Sequence, residues 1–152
     1  MARPLDMKMH DLTNTFYHGS FDKLPVGTIL TPRTNYINNW KHTDFYDPLE
    51  THRPTNMLAH HQAVFMVGTD EDIDLSGAAT EWIFIVQPLG PVQRHDMNWS
   101  SEISSLIGLG HDVDSEEISF AAQNYWNGIP HVDEQVWEYL TSSAKILSVE
   151  AY

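Results

Sequence analysis

The run Trp82-Ile83-Phe84-Ile85-Val86 constrains this chain more than any other stretch. Five successive β-branched or aromatic residues leave no polar side. The segment therefore reads as a strand over Glu81 to Gln87, buried on both faces and ended by Pro88 and Gly90. Such a strand needs partners on both edges. The chain offers Leu12 to His18, a short run at Ile29-Leu30 behind a Pro25/Gly27 turn, Ala63 to Val67 stopping at Gly68, Gln135 to Leu140, and Ala144 to Val149 after Thr141-Ser142-Ser143.

Helical spacing is found in between. A modest helix is predicted over Asn56 to Gln62, and acidic residues from Asp70 to Asp74 start a frayed helix or a loop. Ser100 to Leu109 places Ile103, Leu106 and Ile107 on one side. A further helix follows Asp114, which reads as an N-cap with Glu117 three residues on, and carries Ile118, Ala121, Ala122, Tyr125 and Trp126 before Gly128 and Pro130. From Arg33 to Arg53 the sequence is polar and aromatic without a period, as expected of a loop over a site, with room for one helical turn. Strands, a few helices and then strands again, without β-α-β alternation, predict an α+β domain built on a mostly antiparallel sheet.

The 152 residues suffice for a single domain, 1–152, and are too few for two ordinary ones. Eight Lys and Arg against 21 Asp and Glu give a formal charge of -13, which repels phosphate backbones and anionic lipid. Nucleic acid and membrane are therefore not expected partners, and the composition suits a cytoplasmic protein without a cleaved export signal. With no cysteine there is no disulfide, Cys-ligated zinc or thiol nucleophile.

Two short stretches carry possible chemistry. Thr15-Phe16-Tyr17-His18-Gly19-Ser20 reads as a buried strand ending in a polar elbow. There His18 is either a satisfied histidine before a turn, or it donates a hydrogen bond to a ligand hydroxyl while the Gly19 backbone pairs with an amide-like group. Val136-Trp137-Glu138-Tyr139-Leu140 is a strand in which Val136, Glu138 and Leu140 share one face. Glu138 either points to water or, desolvated, stabilises a cationic transition state. Nine histidines, among them His42, His52, His60, His61, His95 and His111 beside Asp112 and Asp114, leave room for a His/Asp metal site, although no His-Glu-x-x-His spacing occurs. A non-catalytic acidic binding module, gripping a protein through Trp40, Trp99 and Trp126, is another alternative.

Phe16-Tyr17-His18-Gly19-Ser20, Leu24-Pro25-Val26-Gly27-Thr28-Ile29-Leu30-Thr31-Pro32, Val64-Phe65-Met66-Val67-Gly68-Thr69 and Ile83-Phe84-Ile85-Val86-Gln87-Pro88-Leu89-Gly90-Pro91 together resemble the ADP-ribosyltransferase superfamily of diphtheria-toxin and poly-ADP-ribose-polymerase type. The nearest look is to the small rifamycin ADP-ribosyltransferases, which carry a Tyr/His-His-Gly-Thr element and a strand ending Glu-Pro-Thr-Gly-Pro. Beyond Pro91 that closer similarity fades. Val136-Trp137-Glu138-Tyr139-Leu140 and Lys145-Ile146-Leu147-Ser148-Val149 are similar to the glutamate strand and its partner in the wider superfamily.

The resemblance implies an α+β fold of two packed, mainly antiparallel sheets with a few flanking helices, an NAD cleft between the sheets faced by His18 and Glu138, and transfer of ADP-ribose from NAD, as substrate, with loss of nicotinamide and no metal. His18 would bind the nicotinamide-side ribose, Gly19 the carboxamide, with Ser20 completing that element. Phe65 stands where the family usually offers a tyrosine to stack on nicotinamide, and Tyr36 or Tyr46 could supply another ring. Two residues compete for the catalytic acid: Glu138 by the general pattern, Asp96 by its position after Gly90-Pro91. Arg33 and Arg94 are the candidate pyrophosphate donors. The acceptor would be a protein or a rifamycin-like small molecule, in a bacterial cytoplasm or in that of a host reached by a phage.

Overall fold

A computed structural model describes residues 15–33, 43–69, 71–75, 80–131 and 134–152. Of the residues singled out above, Tyr36, Trp40 and His42 lie outside them, as do Asp70 and the start of the expected first strand. Along the described chain β1 (Phe16–Ser20), β2 (Ile29–Leu30) and helix α1 (Tyr46–Thr51) come first. A 3-10 turn (His60–Gln62), β3 (Val64–Val67), the single-turn α2 (Asp72–Leu75), β4 (Trp82–Pro88) and β5 (Gln93–Asp96) follow. Helices α3 (Asn98–Gly108) and α4 (Glu116–Trp126) precede β6 (Trp137–Thr141) and β7 (Ala144–Ala151).

The α+β class and antiparallel pairing hold, but the expected two sheets are one. Seven strands run in the order β2-β7-β4-β1-β3-β6-β5. The β1 to β4 ladder has five register pairs, whereas the β1 to β3 junction in the middle rests on one, Tyr17 with Val67. One face of the sheet carries a core of Phe16, Val64, Met66, Phe84, Val86, Tyr139, Ala144 and Ile146. Among the described residues, Leu24 and Val92 from loops and Leu30, Trp82, Trp137 and Val149 from strands pack against it. The rings of Phe16 and Tyr139, two strands apart in order, meet at 5.0 Å.

The other face is covered in two places. Over β5 lies α4, packed in turn on α3, and the inner sides of the two helices, Trp99, Ile103, Ile118, Ala121, Ala122, Tyr125 and Trp126, pack with Leu49 of α1. Over β1 and β4, Ile73 of α2 packs on Val67, Ile83 and Tyr17.

Several local expectations change. The helix expected over Asn56 to Gln62 shrinks to the 3-10 turn, because Leu58 gives both backbone groups to the Gln93 carboxamide and Ala59 is extended. Ser115, not Asp114, caps α4, accepting from the Ile118 N–H. β5 is a strand that propensity misses. Its Gln93, Arg94, His95 and Asp96 pair with Leu140, Tyr139, Glu138 and Trp137, and side-chain partners rather than apolar character hold them there. No elbow follows His18: Gly19 and Ser20 continue the strand opposite Ile83 and Trp82.

Candidate functional site

Register pairs align Tyr17 with Val67, Val67 with Glu138, and Glu138 with His95. Directly opposed residues of antiparallel strands share a face, so these four side chains form a row across β1, β3, β6 and β5. At one end Tyr17 and Val67 pack with Ile73; at the other His95 stacks on Tyr125 with ring centroids 4.4 Å apart. Glu138 stands between the two covers.

Glu138 is 6% exposed, and among the described residues no hydrogen bond or ion pair reaches its carboxylate. Burial alone raises its pKa from 4.5 to about 8. At neutral pH it is largely protonated.

Beside it is a buried polar group that the sequence did not announce. The Tyr125 hydroxyl lies 2.7 Å from His60 Nε2, inside a ring cage that includes Phe65 and Trp126. Burial raises the Tyr125 pKa, as do the charges of Glu138 and Glu50. His95 donates from Nδ1 to the Tyr125 carbonyl at 2.7 Å and accepts at Nε2 from the Gln93 amide at 2.9 Å. Burial pushes His95 down to about 4 and His60 to about 3, so both rings are neutral. The helical spacing that placed Tyr125 in the core was the one signal that could have found this group.

His18 sits where β1 and β3 part. A carbonyl oxygen can only accept, so the 2.7 Å contact from Nδ1 to the Phe65 carbonyl is an Nδ1–H donation in place of a ladder bond. Burial first, and then the Arg33 charge, hold its pKa below the usual 6.5 despite the bond to Phe65. Nε2 of the neutral ring is therefore an acceptor. The Nδ1 proton is thus taken up by the Phe65 carbonyl, which leaves Nε2 as the ring nitrogen open to a ligand.

Alternation puts His18, opposite Phe84, on the other face from Tyr17 and Glu138. Two strand spacings, roughly 10 Å, separate the β1 and β6 backbones at this row. His18 and Glu138 lie on opposite faces with β3 between their strands and are not in contact.

The other expected site residues divide. Gly19 is needed for close packing, since a Cβ there would collide with the Thr80 hydroxyl and reach Ile73 at 3.1 Å. The Ser20 hydroxyl is used locally, donating to the Asp22 carbonyl and accepting from its N–H. Phe65 is half-buried, with its ring 5.7 Å from His60. Asp96 is fully buried and saturated by the backbone N–H groups of Asn98, Val136 and His131. Tyr46 is buried against His60 at 6.1 Å, its pKa raised by burial and by Glu50 and Asp47. Arg33 is exposed, whereas Arg94 lies over the Trp137 ring at 3.8 Å.

Among the described residues no three His, Asp or Glu side chains gather as a metal set. His52 bonds the Val113 carbonyl, His111 pairs with Glu117, and His131 with Glu102. Trp99 and Trp126, offered as a partner grip, are buried and donate to the Ile129 and Leu49 carbonyls. No described helix is long and apolar enough to cross a membrane. No protein-family model matches the chain, and no curated protein matches it in sequence.

Proposed function

We propose that the chain is an NAD-dependent mono-ADP-ribosyltransferase with an ADP-ribosyltransferase-like fold, its NAD site lying where β1 and β3 part. The observation that carries this reading is Glu138: a buried carboxylate without a described partner, one strand from the gap that His18 occupies. A fold does not hold such a group for stability, because removing a carboxylate from water without a partner costs several kcal/mol. It suits a ligand that brings positive charge.

In this reading NAD threads the β1–β3 junction, its nicotinamide-side ribose on His18 and its cationic nicotinamide turned toward Phe65 and Glu138 on the other face. His18 Nε2 accepts from a ribose hydroxyl, and the half-buried Phe65 ring stacks on nicotinamide, whose cationic ring favours ionised Glu138. The bond between the anomeric carbon and the nicotinamide nitrogen breaks, and its electron pair leaves with neutral nicotinamide. The carboxylate stabilises the oxocarbenium-like ribose. An acceptor nucleophile then bonds to the anomeric carbon and loses its proton to solvent. Arg33 beside His18 meets the pyrophosphate. Tyr36 belongs to this proposal as a second ring. The acceptor is a protein or a rifamycin-like small molecule, and the reaction takes place in a cytoplasm.

The test is nicotinamide release from NAD by purified protein, alone and with cell lysate, for wild type, Glu138→Gln and His18→Ala. Release that falls by at least about a hundredfold in Glu138→Gln supports the assignment. No release and no calorimetric NAD binding by wild type ends it.

A further inference from the structure

The segment entering β6 is tied down from one side. The Asp96 carboxylate accepts from Asn98 N and Val136 N at 3.1 Å through Oδ1, and from His131 N at 2.8 Å through Oδ2. Val136 is held twice, because its carbonyl also accepts from the Met97 N–H at 2.8 Å. Around this clamp, Trp99 Nε1 bonds the Ile129 carbonyl and the Asn98 amide bonds that of Glu134. Two residues beyond Val136 comes Glu138.

A buried carboxylate could have been the acid itself, but this one has both oxygens committed to backbone N–H groups of its own chain. We infer that Asp96 is the positioning residue for Glu138, fixing the approach to β6 so that the unpartnered carboxylate is held in place opposite Val67 of β3. This rests on the transferase reading only for its catalytic consequence; the structural link from Asp96 to Glu138 stands independently. The two acids that compete in the sequence thus take different tasks on one piece of chain.

The experiment uses the full chain as wild type, Asp96→Asn and Asn98→Ala. Asp96→Asn is isosteric and turns an NH2 toward one of the N–H donors. Asn98→Ala removes a surface tie to the same segment and leaves the clamp in place, so it decides the matter if Asp96→Asn does not fold. Three readouts are taken: amide exchange at His131 and Val136, the carbon-detected NMR titration of the Glu138 carboxyl, and the kcat and KM of nicotinamide release.

For Asp96→Asn the expectation is exchange faster by about tenfold or more. The Glu138 midpoint moves down by about one unit as water enters. Release loses about tenfold in kcat, with KM for NAD within about twofold. Asn98→Ala moves the same readouts in the same direction by less. A Glu138 titration unchanged in every folded variant overturns the inference, whatever the exchange rates do. If wild type releases no nicotinamide yet the Glu138 titration moves, the transferase reading falls and the positioning role stands.

Discussion

The imidazole of His18 is bound through Nδ1 to the backbone carbonyl of Phe65, 2.7 Å away on the neighbouring strand. A side chain that fills a ladder position cannot rotate freely, and its tautomer is set by the acceptor it meets. The ring should be neutral and Nδ1-protonated at pH 7, titrating below the ordinary histidine value. Long-range nitrogen–proton NMR on labelled protein reads this directly. A ring protonated at pH 7, or carrying its proton on Nε2, would remove the acceptor that the proposed ribose contact needs.

Glu138 carries the opposite shift, and its stability consequence has a definite sign. Its folded pKa of about 8 lies above the ordinary 4.5, so the folded state binds more protons between those values. The protein therefore loses stability as pH rises through that window, by roughly 1.4 kcal/mol per unit and at most about 5 kcal/mol in all. Glu138→Gln keeps the shape and removes the titration. Urea melts should show the variant gaining on wild type from about pH 5 to pH 8. A constant difference across that range would mean that the carboxylate is not desolvated.

His60 and His95 work from the acid side. Their folded values, about 3 and about 4, are depressed from 6.5, so their contribution is complete above 6.5 and is lost as pH falls toward the folded values. Together with Glu138 this places the stability maximum near pH 6.5. A melting-temperature profile still climbing at pH 5 as pH is lowered would contradict it.

Catalysis should follow ionisation of Glu138, so nicotinamide release at saturating NAD should rise with pH and level off near or below pH 8. The cationic ring of bound NAD shifts the midpoint downward relative to the free enzyme. The ratio of kcat/KM to kcat profiles measures that shift. Identical midpoints in both would indicate that Glu138 does not face the nicotinamide.

Gly19→Ala should cost about 1–3 kcal/mol, because the new methyl group meets the Thr80 side chain and Ile73. Thr80→Ala in the same chain should recover part of the loss. Equal melts for the single and double variants would show that the crowding lies elsewhere.

The strands with apolar runs were legible because burial writes itself into β-branched and aromatic residues, as in Trp82 to Val86 and Val64 to Val67. β5 was not, because Gln93, His95 and Asp96 are paid for by side-chain hydrogen bonds whose partners are 30 to 40 residues distant. Glu138 could be picked out as a carboxylate among apolar neighbours, and its face followed from alternation. What alternation could not give is that Asp96 spends its lone pairs on backbone, or that His18 turns its proton inward. Both depend on which carbonyl or N–H the fold carries past them.

The strand order also bears on how the molecule comes into being. β7 lies between β2 and β4, and β6 lies between β3 and β5, so the last two strands in the chain are both interior. Before they arrive, β2 and β5 have no partner among the described strands, and the described ladder consists of β4, β1 and β3. A ribosome would hold this fold open until its final strands emerged, and the many distant pairings then made at once mark it as a slow folder for its length.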